Sequence, residues 1–389
     1  MSRLAEIVSR VESLAADVDL ESVRRWKAER PGRRAIGHMP IAVPRELILA
    51  AGMLPVGIVG AGDRLEIIRG DAHFQSYICH IPRSTIELAL TGRLDALDGM
   101  LFPSICDVIR NLSGIWQLLF PGRYVRYVDV PQNFDPAVGG RYWRAELDAL
   151  REDFQRMTGD PLNDESLREA IAVYNENRRA IRELYAARST APWSFPTAEM
   201  YQVLRAGNLL PPEDHTALVR DYIREAALDP DRREEDRSRV VLVGMFCEQP
   251  PIGLLLTLER AGCWIVDDDL LLGLRWLVDD VPLDGDPLEN LTRAFLDQHV
   301  RTASMYEPEG RRGTWLVDSV RARGADGVIF CAPSFCDPAL LDQPMLTSAL
   351  DRAGIPHTEF KYSEDTGQFA VIREQAGTFS DSIRLWSET

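Results

Sequence analysis

The sequence predicts an α/β fold made of two Rossmann-like parallel-sheet domains joined by a helical segment, with a cleft between the domains. Three observations carry this. Short apolar runs alternate with amphipathic helical stretches over residues 34–130 and again over 240–361. Between them, residues 138–228 hold long charged amphipathic segments and no run of strand character. Several cysteines fall where an apolar run gives way to a helical pattern, beyond the carboxyl ends of strands where open α/β sheets bind their ligands.

Taken in order, residues 2–30 read as two short helices broken at Pro31-Gly32. Arg34-Ala35-Ile36-Gly37-His38 is the first strand. Pro44 opens a helix over 45–51 that Gly52 closes. Val56-Gly57-Ile58-Val59 is a second strand, and residues 74–91 carry a helical pattern interrupted at Pro82. Gly99-Met100-Leu101-Phe102 is a third strand. A helix over 104–119 follows, with Ser104 as its expected N-cap, and the fourth strand spans 124–130. Helices are expected over 142–157, 164–187, 197–207 and 213–227, and the polar run 229–239 as a solvated loop. The second unit starts with a strand at 240–244. A helix at 252–261, a strand at 263–267, helices at 287–302 and 313–323, a strand at 327–330, a helix at 339–353, a strand at 357–361 and a closing helix complete it. The expected division is 1–137, 138–236 and 237–389.

The length of 389 residues suits two domains. A net charge of −16 excludes non-specific attraction to nucleic acid or to an anionic membrane surface. No stretch approaches the ~20 apolar residues of a membrane span. The amino terminus is amphipathic and lacks the apolar core of a signal peptide, so a cytoplasmic location is expected. In a reducing compartment the six cysteines are core residues or ligands rather than disulfides.

Cys336 lies in Pro333-Ser334-Phe335-Cys336-Asp337-Pro338, between a buried strand and a helix whose first turn suits Pro338. Helix N–H groups and the helix dipole favour a thiolate there. Cys106 falls in the first turn after the third strand, and Cys79 just before the helix start at Pro82. Cys247 also ends a strand, whereas Cys263 and Cys331 sit inside apolar runs and read as core. The spacing fits neither zinc C-x-x-C pairs nor the local ferredoxin run. It leaves dispersed thiolates, either core or a cluster site. Three thiolates rather than four would leave one iron open to substrate or water.

Other signals have cheaper explanations. Gly60-Ala61-Gly62 reads as a tight turn, because Leu65 stands where a dinucleotide fingerprint needs its third glycine. Asp267-Asp268-Asp269 is explained by helix capping and exposure rather than by a divalent metal. The histidines are dispersed, with no H-x-x-x-H pair.

Phe335-Cys336-Asp337-Pro338, Gln343-Pro344, Ala353-Gly354-Ile355-Pro356 and Gly367-Gln368 resemble the carboxyl-terminal signature of the 2-hydroxyacyl-CoA dehydratase and benzoyl-CoA reductase family. Tyr77-Ile78-Cys79, Asp98-Gly99 and the stretch from Pro103-Ser104-Ile105-Cys106-Asp107 to Leu112 resemble its two amino-terminal cysteine blocks. The likeness runs over essentially the whole chain. Within the family it is most similar to the smaller, cluster-bearing gamma subunits of the ATP-dependent benzoyl-CoA reductases. Residues 74–79, 246–251 and 372–379 carry that closer match.

The resemblance implies a [4Fe-4S] cluster held in the interdomain cleft by Cys79, Cys106 and Cys336, with one iron open. It implies a homologous cluster-bearing partner subunit, separate ATP-hydrolysing activator subunits and reduced ferredoxin as electron source. The chain itself has no G-x-x-x-x-G-K-[ST] loop. The implied reaction is dearomatisation of benzoyl-CoA to cyclohexa-1,5-diene-1-carbonyl-CoA. The alternatives are a 2-hydroxyacyl-CoA dehydratase subunit, or an electron-relay or scaffold subunit whose partner performs the chemistry. Beside such a cluster, His80 is a candidate proton donor, Glu248 a candidate acid, and Gln249 a candidate hydrogen-bond donor to the thioester oxygen. Arg83 and Arg110, one turn past Cys79 and Cys106, are candidates for offsetting cluster charge or binding CoA phosphates.

Overall fold

Eight strands form two separate four-stranded sheets, all parallel and with the same spatial order. In the first, β1 (Ala35–His38), β2 (Leu54–Gly57), β3 (Gly99–Pro103) and β4 (Tyr124–Val128) are arranged β2-β1-β3-β4. In the second, β5 (Ser238–Val243), β6 (Cys263–Asp268), β7 (Gly327–Pro333) and β8 (His357–Tyr362) are arranged β6-β5-β7-β8. The computed structural model describes residues 2–39, 41–244, 250–270, 274–298, 311–363 and 369–387. The α/β class expected from the alternating pattern is the observed one.

Each sheet reverses its direction of winding between its two central strands, β1 and β3 in one and β5 and β7 in the other. A crevice opens at the carboxyl ends of such a pair. Of these strands, β3 and β7 are apolar and buried at every position, as strands covered by helices on both faces must be. Gly37 in β1 marks the close fit, since a Cβ there would stand 2.6 Å from both Leu97 Cδ1 and Met100 Sδ.

Between the sheets run the helices Arg141–Thr158, Asp164–Thr190, Thr197–Arg205 and Pro212–Ala227, close to the expected ranges. One hydrophobic cluster joins the two halves. It includes Ile36 and Leu101 of the first sheet, Trp143 of the helical segment, and Phe295, Ala332 and Cys336 of the carboxyl-terminal half. Phe295 is its pivot, 4.8 Å from the Trp143 ring and 5.5 Å from that of Phe134.

Four local expectations are corrected. Strand β2 starts two residues early, because its register follows β1, from Ala35 opposite Leu54 to His38 opposite Gly57. Ser104 is not a helix cap. Its Oγ accepts from the Val130 N–H at 2.6 Å, and the helix Asp107–Leu119 is capped by Cys106. Asp267, Asp268 and Asp269 are buried rather than exposed. Arginines and backbone satisfy them: Arg188 meets Asp268 at 2.6 Å, Arg323 meets Asp267 at 3.3 Å, and the Gly244 N–H reaches Asp269 at 2.7 Å. Residues 229–237 are mostly exposed as expected, with Arg232 turning inward to the Ser194 carbonyl at 2.6 Å, but Ser238 and Arg239 belong to β5 rather than to the loop, and Ser238 is buried.

Candidate functional site

Cys79, Cys106 and Cys336 occupy the same position in three different helices. Each is the N-cap, of His80–Leu90, Asp107–Leu119 and Asp337–Ala353 respectively. The chain builds this position by similar means in two cases: Cys106 follows β3 and Cys336 follows β7, each at the carboxyl end of a central strand. Pro338 in the first turn of its helix loses no hydrogen bond, since that N–H has no intrahelical acceptor.

All three cysteines line one cavity. Its volume is about 30 Å³, and it opens to solvent at its mouth. Met39, at the carboxyl end of β1, forms part of the wall, so the cavity sits in the crevice between β1 and β3. Residues 335–338, from the other half of the chain, also line it. The rest of the lining is mainly apolar: Ile81, Pro82, Ile105, Val108 and Ile109. Cys336 is 4% exposed, and Cys79 and Cys106 are half-buried. None of the five described cysteines is in a disulfide.

Burial pushes the Cys106 thiol up from its ordinary value; the N–H groups of Ile109 and Val108 oppose this by hydrogen bonding, and the carboxylates of Asp107 and Asp337 add to it. Asp337 reaches Cys106 from the other half of the chain, so the two cysteine blocks are electrostatically in contact. Three helix amino termini converging on one apolar cavity favour negative charge inside it.

This donor set suits an iron-sulfur cluster: thiols on rigid helix starts, apolar walls, and N–H groups directed at sulfur. Among the described residues, no three His, Cys, Asp or Glu side chains are grouped as for a single metal ion. A cluster places its thiolates around a polynuclear core, which asks for a wider spread.

The other candidate residues fall elsewhere. Cys263 and Cys331 are fully buried in β6 and β7, and burial raises both thiols, Cys263 to about 12. His80 begins its helix but is not among the cavity-lining residues. Arg83 is bound to Asp71, Nε to Oδ1 at 2.7 Å, and Arg110 is exposed; neither lines the cavity. Cys247, Glu248 and Gln249 lie outside the described residues, as do Gly367 and Gln368. Sequence reasoning gave no role to Met39 or Phe335. The strand-end rule that selected Cys106 also points to Met39. Phe335 has φ +67° and is 54% exposed at the cavity, and nothing in its residue type announces either property.

A family model described as 2-hydroxyglutaryl-CoA dehydratase, D-component, matches residues 40–383. The chain is 52% identical over 384 residues to a benzoyl-CoA reductase subunit of Thauera aromatica, covering 98% of this chain and 99% of that one. It is 30% identical to the beta subunit of (R)-phenyllactyl-CoA dehydratase of Clostridium sporogenes, over 91% and 93% of the two chains. To the beta subunit of (R)-2-hydroxyglutaryl-CoA dehydratase of Acidaminococcus fermentans it is 29% identical, over 92% and 94%.

Proposed function

The chain belongs to the 2-hydroxyglutaryl-CoA dehydratase D-component family, and from that membership we propose that it is the smaller cluster-bearing subunit of an ATP-dependent benzoyl-CoA reductase. At the coarser level it is a subunit of a reductase- or dehydratase-type enzyme acting in a hetero-oligomer. The step in identity from 52% to about 30% favours the reductase over the dehydratases. The observation that carries the cofactor assignment is the meeting of Cys79, Cys106 and Cys336 at one cavity.

In this reading those three thiolates hold a [4Fe-4S] cluster. Such a cluster supplies single electrons at low potential, as reduction of an aromatic ring requires. The protein's own contribution is the environment. Met39, Ile81, Ile105, Val108 and Phe335 give the cavity apolar walls. The helix amino termini offset the added negative charge. The overall reaction adds two electrons and two protons to the ring of benzoyl-CoA. The electrons come from reduced ferredoxin through ATP-hydrolysing partner subunits, and His80 stays a candidate proton donor on the helix that Cys79 caps.

The test is an anaerobic assay of the assembled complex with benzoyl-CoA, reduced ferredoxin and ATP, followed by mass spectrometry of the thioester. The expected product is heavier than the substrate by two hydrogens. An unchanged benzoyl-CoA, together with loss of water from a 2-hydroxyacyl-CoA, would move the assignment to the dehydratases.

A further inference from the structure

A second cavity, of about 280 Å³, lies beyond the carboxyl end of β6 and is lined by Arg178, Arg182, Arg275 and Arg323 together with apolar residues and Tyr185. No carboxylate is among its described lining residues. That is unexpected in a chain with 60 acidic and 44 basic residues. That is room for many water molecules. A single small ion would leave most of it empty.

The four guanidiniums are fixed from behind. Arg178 and Arg182 stand one turn apart on the helix Asp164–Thr190 and share a face with Tyr185. Arg178 donates to Glu46 Oε1 at 2.6 Å and to Asn175 Oδ1 at 2.7 Å. Arg182 donates to Asp280 Oδ1 at 2.9 Å and to the Val278 carbonyl at 2.6 Å. Arg275 lies over the Tyr185 ring, 3.5 Å from its centroid, and donates to the Asp268 carbonyl at 2.8 Å. Arg323 reaches Asp267 at 3.3 Å.

The carboxylates behind them are shared. Asp267 serves Arg275 and Arg323, Asp280 serves Arg179 and Arg182, and Asp268 is taken by the fully buried Arg188. Six guanidiniums, of Arg178, Arg179, Arg182, Arg188, Arg275 and Arg323, thus draw on four carboxylates, those of Glu46, Asp267, Asp268 and Asp280, with Glu176 also serving Arg179. Positive charge is left over on the side that faces the cavity. Forked donors held rigidly around a space of this size match the oxygens of a phosphate chain.

We propose that this cavity binds a diphosphate-class anion through Arg182, Arg275 and Arg323. The anion comes either free, as inorganic pyrophosphate, or as the diphosphate arm of a coenzyme A thioester. The site uses none of the three cap cysteines, so it does not depend on the cluster assignment.

The test is calorimetric titration of the full-length chain with inorganic pyrophosphate and, separately, with coenzyme A. The variants are Arg182→Gln, Arg323→Gln and the distant exposed Arg156→Gln, each checked for an unchanged thermal transition. Arg182→Gln suits the purpose because Arg179 still holds Asp280. Expected are saturable binding of pyrophosphate, weakening by about tenfold in each cavity variant, and no change in Arg156→Gln. Coenzyme A competing with pyrophosphate identifies the coenzyme arm as the source. Pyrophosphate binding without competition identifies the free anion. The proposal is overturned if neither probe binds at millimolar concentration, or if the cavity variants bind like the parent chain. The arginines would then serve only the ion-pair network behind them.

Discussion

Arg178 Nη1 meets Glu46 Oε1 at 2.6 Å, and both side chains are almost completely buried, 4% and 2% exposed. The pair ties the helix Arg45–Ala50, which follows β1, to the long helix Asp164–Thr190 of the connecting segment. Asn175 extends the link, accepting from Arg178 and exchanging hydrogen bonds with both backbone groups of Val281. One polar network therefore spans the amino-terminal sheet region, the helices and the carboxyl-terminal half.

Removing one member of that pair leaves the other charge buried without its counter-ion. Glu46→Gln is expected to lower stability by about 3–5 kcal/mol, and Glu46→Met with Arg178→Met by less. Urea unfolding midpoints measure this. A Glu46→Gln midpoint equal to that of the parent chain would show the pair to be energetically idle.

The cap cysteines and the core cysteines separate in an iron assay. Cys79→Ser, Cys106→Ser and Cys336→Ser are each expected to fall from roughly four iron atoms per chain to below about one after anaerobic purification. Cys263→Ala and Cys247→Ser should keep their iron. Retention by Cys336→Ser, or loss by Cys247→Ser, would rule out the proposed ligand set.

Phe335 combines a left-handed backbone, φ +67°, with a side chain at the cavity mouth. Phe335→Gly relieves about 1 kcal/mol of backbone strain while removing part of the cover. The thermal transition should hold or rise, and the brown colour expected of the proposed cluster should bleach several-fold faster in air. Bleaching at the parental rate would mean that the ring does not shield the site.

His38 and His215 are buried, and desolvation lowers each to about 4. The hydrogen bonds fix the His215 tautomer: Nδ1 accepts from the Asn177 amide at 3.0 Å, and Nε2–H donates to the Val203 carbonyl at 3.1 Å. An unfolded histidine titrates near 6.5. The folded value lies below the unfolded one, so between pH 6.5 and 4 the unfolded chain binds more protons. Stability is complete above pH 6.5 and is lost as pH falls, by roughly 3 kcal/mol per ring at pH 4. The thermal transition followed from pH 7.5 to 4.5 should drop less steeply in His215→Gln. Equal slopes would place the protons elsewhere.

Much of the fold was legible because its signals are local. The run Gly327-Val328-Ile329-Phe330 and the charged periodicity of residues 164–187 announce a buried strand and an amphipathic helix without reference to the rest of the chain. Caps were harder. Ser104 has the right residue type, yet its hydroxyl is used by Val130 across the sheet edge, and Cys106 takes the cap. The three aspartates at 267–269 look solvated in a linear reading. The burial of Asp267 and Asp268 depends on Arg188, Arg275 and Arg323, and that of Asp269 on the Gly244 N–H, all brought by the fold from separate stretches of sequence.

The sequence by itself determined the α/β class, the alternation of strands and helices, and the placing of cysteines at strand-to-helix junctions, since each follows from residue type and short-range spacing. Only the tertiary structure decided that residues 79, 106 and 336 line a common wall, that Met39 and Phe335 complete it, and that four arginines surround a second cavity. Contacts between residues tens to hundreds of positions apart depend on how sheets and helices pack, and packing is a property of matching surfaces that no local pattern encodes.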